Sequence, residues 1–98
     1  MVELDPIIHQ PVRLRITASL AALGQGESME FTFLRDLLEV TDGNLGAHLR
    51  KLEEAGYLEI EKTFVERKPK SFIALTSKGR RAFKEHVEAL REILEEKS

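Results

Sequence analysis

The sequence contains no cysteine, which excludes disulfides, thiolate metal sites and cysteine nucleophiles together. It also lacks long apolar runs. The stretch from Ile16 to Leu23 is too short and too interrupted to span a bilayer, so no membrane partner is expected. There is no internal repeat and no low-complexity segment. The three histidines, His9, His48 and His86, fall on different elements without metal-ligand spacing. Surface or partly packed positions are expected for His9 and His86, and no metal or other cofactor is expected. No nucleophile elbow or glycine-rich phosphate loop occurs, and Gly24-Gln25-Gly26 is too short and badly placed to be one. No acid, base and nucleophile converge in the pattern, so an enzyme is not expected. The opening residues carry no secretory signal, which makes a cytoplasmic location the expectation.

What is present fits one compact domain over residues 1–98. Apolar residues make up 42% and charged residues 33%, a balance of folded rather than disordered chains. At this size the surface-to-volume ratio is poor, so a long apolar element left uncovered seeks a partner chain. The net charge of −2 argues at first against a nucleic-acid partner. Its distribution weakens that objection. Residues 1–42 hold three basic groups (Arg13, Arg15, Arg35) against seven acidic ones, whereas residues 43–98 hold twelve basic against ten acidic. The local field decides where a phosphate backbone can sit, not the sum.

Pro11 suits the first position of a helix, and Val12, Ile16, Ser19, Leu20 and Leu23 recur at helical spacing, which predicts a helix over 11–23 ended by Gly24-Gln25-Gly26. Met29-Glu30-Phe31 reads as a short extended piece. Thr32 is then expected to cap a second helix with Leu34, Leu37 and Leu38 inward and Arg35, Asp36 and Glu39 outward. Thr41-Asp42 caps a third, whose buried stripe is Leu45, Leu49 and Leu52 and whose stop is Ala55-Gly56. The period then switches to two. Leu58 and Ile60 alternate with Glu59 and Glu61, Val65–Lys70 reads as a polar basic turn, and Ser71–Leu75 as the returning strand. This turn is expected to need mobile cations rather than a tight Asn-Gly pair. Thr76 or Ser77 caps a last helix running to about Glu96. The order is α+β and mainly helical: a helix-turn-helix over the Val40–Asp42 turn, followed by a hairpin wing.

The block Thr41-Asp42-Gly43-Asn44-Leu45-Gly46-Ala47-His48-Leu49-Arg50-Lys51-Leu52-Glu53-Glu54-Ala55-Gly56-Tyr57-Leu58 resembles the recognition-helix region of MarR/ArsR-type winged-helix regulators. Leu75-Thr76-Ser77-Lys78-Gly79 is similar to their strand-to-last-helix junction, and Pro11-Val12-Arg13-Leu14-Arg15-Ile16 to their first helix. The likeness covers nearly the whole chain and is greatest to small single-domain prokaryotic members. It implies a transcription regulator that binds double-stranded DNA. Where the family often has a serine followed by a longer polar residue, this chain has Gly46 and Ala47, neither able to hydrogen-bond a base edge through its side chain. The close sets of cysteine and histidine used by metal-sensing members are absent.

Within that frame the expected DNA contacts are Thr41, Asn44, Gly46, Ala47, His48, Arg50 and Lys51 on the third helix and Lys62, Arg67, Lys68 and Lys70 on the wing. Asn pairs with adenine, Arg with guanine, and Lys or His with phosphates. Gly43 and Gly46 cost a helix roughly 1 kcal/mol each relative to alanine, which suits a close approach to DNA or to the second helix. Phe83, Val87, Leu90 and Leu94 recur at spacings of four, three and four, an a/d-type seam widened by Ala82, Ala89 and Ile93. Leu4, Ile7 and Ile8 have no obvious place in the core. A homodimer is therefore expected, built from residues 1–10 and 77–98 through Leu4, Ile7, Ile8, Val87, Leu90, Ile93 and Leu94. A small-molecule effector is allowed, but nothing in the sequence supports one. The competing reading is a winged helix used for protein–protein interaction without sequence-specific DNA binding, which the acidic total and Gly46-Ala47 favour.

Overall fold

Pro11 opens the first helix, α1 (Pro11–Ala21), behind Gln10, whose side chain accepts the Arg13 N–H at 2.8 Å in the computed structural model, which describes residues 3–96. The helix stops before the glycines, two residues short of Leu23. A two-residue strand, β1 (Met29–Glu30), leads into α2 (Phe31–Leu38), then α3 (Asp42–Glu54), β2 (Leu58–Val65), β3 (Lys68–Leu75) and α4 (Ser77–Glu96). The sheet is antiparallel with order β1-β3-β2, and the register sets Leu58 opposite Leu75, Ile60 opposite Ile73 and Val65 opposite Lys68.

One core unites these elements. Ile16 and Leu20 from α1 meet Leu34 and Leu38 from α2, Leu45, Leu49 and Leu52 from α3, and Leu58, Ile73 and Leu75 from the sheet. Burying a side chain of this kind contributes about 1.5–3 kcal/mol, so this cluster dominates the stability. The α3 stripe is the expected one. In α2 Leu34 and Leu38 are buried and Phe31 packs partly buried against the core. Leu37 is 50% exposed and Phe33 59%, because a helix of eight residues offers one narrow face to the core. Thr32 is not the cap of α2. Glu30 holds that position with no side-chain cap bond, and the Thr32 hydroxyl donates to the Glu30 carboxylate instead. The turn into α3 is closed by Glu39 in the left-handed conformation (φ 56°), and Thr41 caps α3 by accepting the Asn44 N–H at 3.1 Å.

The wing is tighter than expected. Lys68, Pro69 and Lys70 belong to β3, leaving a two-residue turn of Glu66 and Arg67, both at positive φ (52° and 69°). This is the backbone of a primed hairpin turn, whose twist matches that of the strands. It is formed here without glycine or asparagine, so its residues sit in a conformation that L side chains resist. Pro69 is tolerated because β1 pairs with β3 only at Phe72 and Ile73, leaving one side of β3 open at the wing.

The segment before α1 departs most from expectation. Ile8 is fully buried in the chain's own interior, and Ile7 packs against the core cluster. Neither is an unplaced apolar residue, and Ile8 has no surface to offer a partner chain. Asp5 fastens this segment. Its carboxylate accepts the Ile7 and Ile8 N–H groups at 2.8 and 3.3 Å and the Tyr57 hydroxyl, while its own N–H donates to Nδ1 of His86 at 3.1 Å. His86 is accordingly a core residue, 1% exposed, rather than a surface or partly packed one. Its ring lies 5.5 Å from that of His9, and burial, then the His9 charge, lowers its pKa despite Asp5. Tyr57 is pushed up to about 12, first by burial and then by its bond to Asp5.

Helix α4 therefore has two faces. Gly79, His86 and Ala89 are buried against the domain, so Ala89 does not widen an outward seam, and Ile93 continues this inward stripe half-buried. Phe83, Val87 and Leu90, roughly a quarter turn round the helix from that stripe, are half-buried, and Leu94 is 70% exposed. Thr76 pins the helix start. Its hydroxyl accepts the Gly79 N–H at 2.9 Å and donates to the Gly56 carbonyl at 2.7 Å. Arg80 donates to the Ala21 carbonyl at 3.2 Å, closing the end of α1.

Candidate nucleic-acid interface

The three buried leucines fix the rotation of α3. At 100° per residue, the line opposite them carries Gly43, Ala47, Arg50 and Glu54, all exposed. Asn44 and Lys51 stand beside that line, also exposed. Gly46 and His48 fall on opposite flanks, Gly46 toward the wing and His48 toward α1. A Cβ built at Gly43 or Gly46 would meet nothing within 4 Å. Close packing on α2 therefore does not explain either glycine, and the N-terminal half of α3 presents a low, open front.

The wing stands next to this front. Gly46, Arg50 and Glu53 of α3 share a notch of about 320 Å³ with Ile60, Lys62 and Ser71 of the hairpin. Along β2, Leu58, Ile60, Lys62 and Phe64 alternate onto one face, so Lys62 and Phe64 carry the core face past the edge of the core. Phe64 is 73% exposed. Arg67 occupies the turn, and Lys68 follows at the first position of β3.

The cations of this surface differ in availability. Among the described residues, Arg50, Lys51, Lys62, Arg67 and Lys68 make no ion pair. Lys70 does, reaching Glu30 at 3.4 Å across the outer face of the sheet. The Thr32 hydroxyl holds the Glu30 carboxyl below its ordinary pKa against the cost of burial, and Lys70 adds to the lowering. Arg35 is consumed within the helix-turn-helix, donating to Asp42 at 2.8 Å and Asp36 at 2.9 Å, bonds that raise its pKa. Thr41 spends its side-chain acceptor on the α3 cap. The structure sets Gly46 and Arg50 of α3 beside Lys62 of the wing, with Ala47 on the exposed line of α3, Asn44, Lys51 and His48 toward its α1 side, Arg67 at the wing turn, and Lys68 on the same sheet face as Lys70.

Two features escaped the sequence reading. Phe64 was legible as the continuation of the Leu58–Ile60 alternation beyond the length the core can cover. Arg13 had no local signal. It lies on α1 and reaches His48 of α3, 35 positions away, with Nη1 3.2 Å from the imidazole Nδ1.

No helix among the described residues is long and apolar enough to cross a membrane, and no group of His, Asp and Glu among them could hold a metal ion. Residues 12–94 match the winged helix DNA-binding domain family. An uncharacterized protein of Methanocaldococcus jannaschii is 43% identical over 81 residues, covering 83% of this chain and 85% of its own length. The structure of a transcriptional regulator homologue from Pyrococcus horikoshii OT3 superposes with a TM-score of 0.82 at 28% identity, covering 91% of this chain and 85% of that one. The fold is also shared, at 16% identity and a TM-score of 0.73, with MepR of S. aureus, solved as a DNA complex, over 93% of this chain and 72% of that one. With its hairpin beside a helix-turn-helix and this match across most of its length, the chain belongs to the winged helix DNA-binding domain family and not to an enzyme family.

Proposed function

We propose that the chain regulates transcription as a homodimer, laying α3 in the major groove of duplex DNA and setting the β2–β3 wing on backbone phosphates. The observation that carries this reading is a set of unpaired cations on α3 and the adjoining wing of an acidic chain. Arg50 of α3 and Lys62 of the wing line the notch between the two elements, Lys51 stands further round α3, Arg67 and Lys68 stand at the wing tip, and none of the five is ion-paired. Arg35 and Lys70, by contrast, are tied up by Asp42 and Glu30. The open front at Gly43, Gly46 and Ala47 lets backbone come near a groove floor, and Asn44 and Arg50 supply the side chains that read base edges. A cytoplasmic location accords with this role.

The wing then supplies affinity and α3 selectivity, and a salt series separates them. Replacing Arg67 and Lys68 with alanine is expected to weaken binding to every duplex alike. Each lost phosphate contact should flatten the log–log salt dependence by roughly 0.9. Asn44→Ala should leave that slope in place and reduce preference for a selected site. An unchanged slope in the wing variant removes the wing from the interface. The alternative, a protein-interaction module, has Phe33 and Leu37 on the open face of α2 in its favour. Its signature is a wild type that binds no duplex even at low salt.

A further inference from the structure

We propose that Arg13 is a positioning residue for His48, holding it as a neutral imidazole that offers its Nε2–H as a hydrogen-bond donor to a base edge. The proposal rests on the DNA-binding reading above and makes it more specific.

A guanidinium has donors and no acceptor, and it stays protonated in proteins. Its contact with His48 Nδ1 at 3.2 Å can be a hydrogen bond only if Nδ1 carries the lone pair. The single ring proton of the neutral imidazole is then on Nε2. Protonating Nδ1 sets N–H against N–H and breaks the contact. Arg13 cannot swing away freely, because its Nε donates to the Ile7 carbonyl of the segment seated on α4 by Asp5. Its two arms thus tie the N-terminal segment to α3.

The surroundings agree. Burial, and after it the charge on Arg13, lowers the pKa of His48. One helical turn away on α3 stand Asn44, which is uncharged, and Lys51, a second cation. Among the described residues no carboxylate pairs with Arg13 or His48, and no protein group takes the Nε2 proton. A donor without charge suits guanine N7 and O6, adenine N7 or thymine O4, and it mismatches the amino group of cytosine. On a phosphate it would release no counterion. His48 is therefore a reader of acceptors, not one of the phosphate cations.

The test begins with the free protein. Long-range proton–nitrogen correlation spectra of the imidazoles should show His48 protonated on Nε2 and bare on Nδ1 at about pH 7.5, where an ordinary imidazole is also neutral. Arg13→Met should mix the tautomers and raise the His48 pKa, and Arg13→Lys, which keeps a donor and a charge, should restore part of the difference. An Nδ1–H tautomer in the wild type, or an Arg13→Met spectrum identical to it, overturns the proposal. If Arg13→Met does not fold, the wild-type tautomer and the lysine variant decide. With DNA, Arg13→Met should lose roughly tenfold in preference for a selected duplex. It should also gain affinity for arbitrary duplex as pH falls toward about 6, where its His48 charges. Preference unmoved by Arg13→Met sinks the base-edge role while leaving DNA binding intact. A wild type that binds no duplex overturns both readings.

Discussion

Gly79→Ala is expected to cost about 3 kcal/mol of stability, at the upper end for overpacking, and to lower Tm by roughly 10–20 °C for a domain of this size. The reason is local and rigid. A Cβ at this position would lie 1.8 Å from the Tyr57 carbonyl oxygen, 2.7 Å from its carbon and 2.9 Å from its Cα. No side-chain rotamer relieves a clash with backbone. That carbonyl also accepts the Thr76 N–H at 3.1 Å, so moving it breaks the junction that starts α4. Gly43→Ala is the control. There the new Cβ meets nothing, and helix propensity alone should stabilise by up to roughly 1 kcal/mol. Thermal and urea unfolding of both variants checks the pair. An alanine at 79 tolerated without loss would mean that α4 is not seated on the α3–β2 connection as described.

The second large effect concerns the outward face of α4. With Gly79, His86 and Ala89 consumed by the domain, Phe83, Val87, Leu90 and Leu94 form an apolar stripe along one flank of a helix whose far side is charged. Such a stripe is the surface a second copy of the chain would cover by coiled-coil packing. Leu90→Glu combined with Leu94→Glu should convert a micromolar dimer to monomer by sedimentation. It should also weaken binding to a two-half-site duplex by a hundredfold or more, because the second half-site is no longer held at high effective concentration. The inward stripe is untouched, so the variant should keep its fold. A monomeric wild type sinks the dimer. A double variant that stays dimeric moves the interface elsewhere, with the first helix the next place to look.

The helix-turn-helix and its wing were legible because each rests on a strong local signal. Leucines at helical spacing in α3, a threonine at its cap, and alternation in Leu58–Glu61 all carry through to the structure. Misreadings arose where local pattern meets a nonlocal constraint. Periodicity alone gave Leu37 an inward place, yet the size of the core face decides how many residues of a short helix it can take. Ile7 and Ile8 lie outside any regular element, so no period announced their burial. The tight wing turn was hidden because Glu66 and Arg67 are not residue types that favour positive φ. His86 looked like one more polar position on an amphipathic helix, and only the seating of Asp5 shows why a histidine lies in the interior. On the site itself, residue types were legible but free cations could not be told from paired ones. Lys70 and Lys68 are two positions apart, and only the first finds a glutamate.

The most direct test of the central claim is an unbiased selection of duplexes retained by the full-length wild type at moderate salt. A dimer presenting two α3 helices by two-fold symmetry should enrich an inverted repeat whose half-site centres are one DNA turn apart, roughly 34–36 Å, or a multiple of it. Enrichment of no sequence, or of a site without two-fold symmetry, would contradict a dimeric regulator that reads DNA through α3.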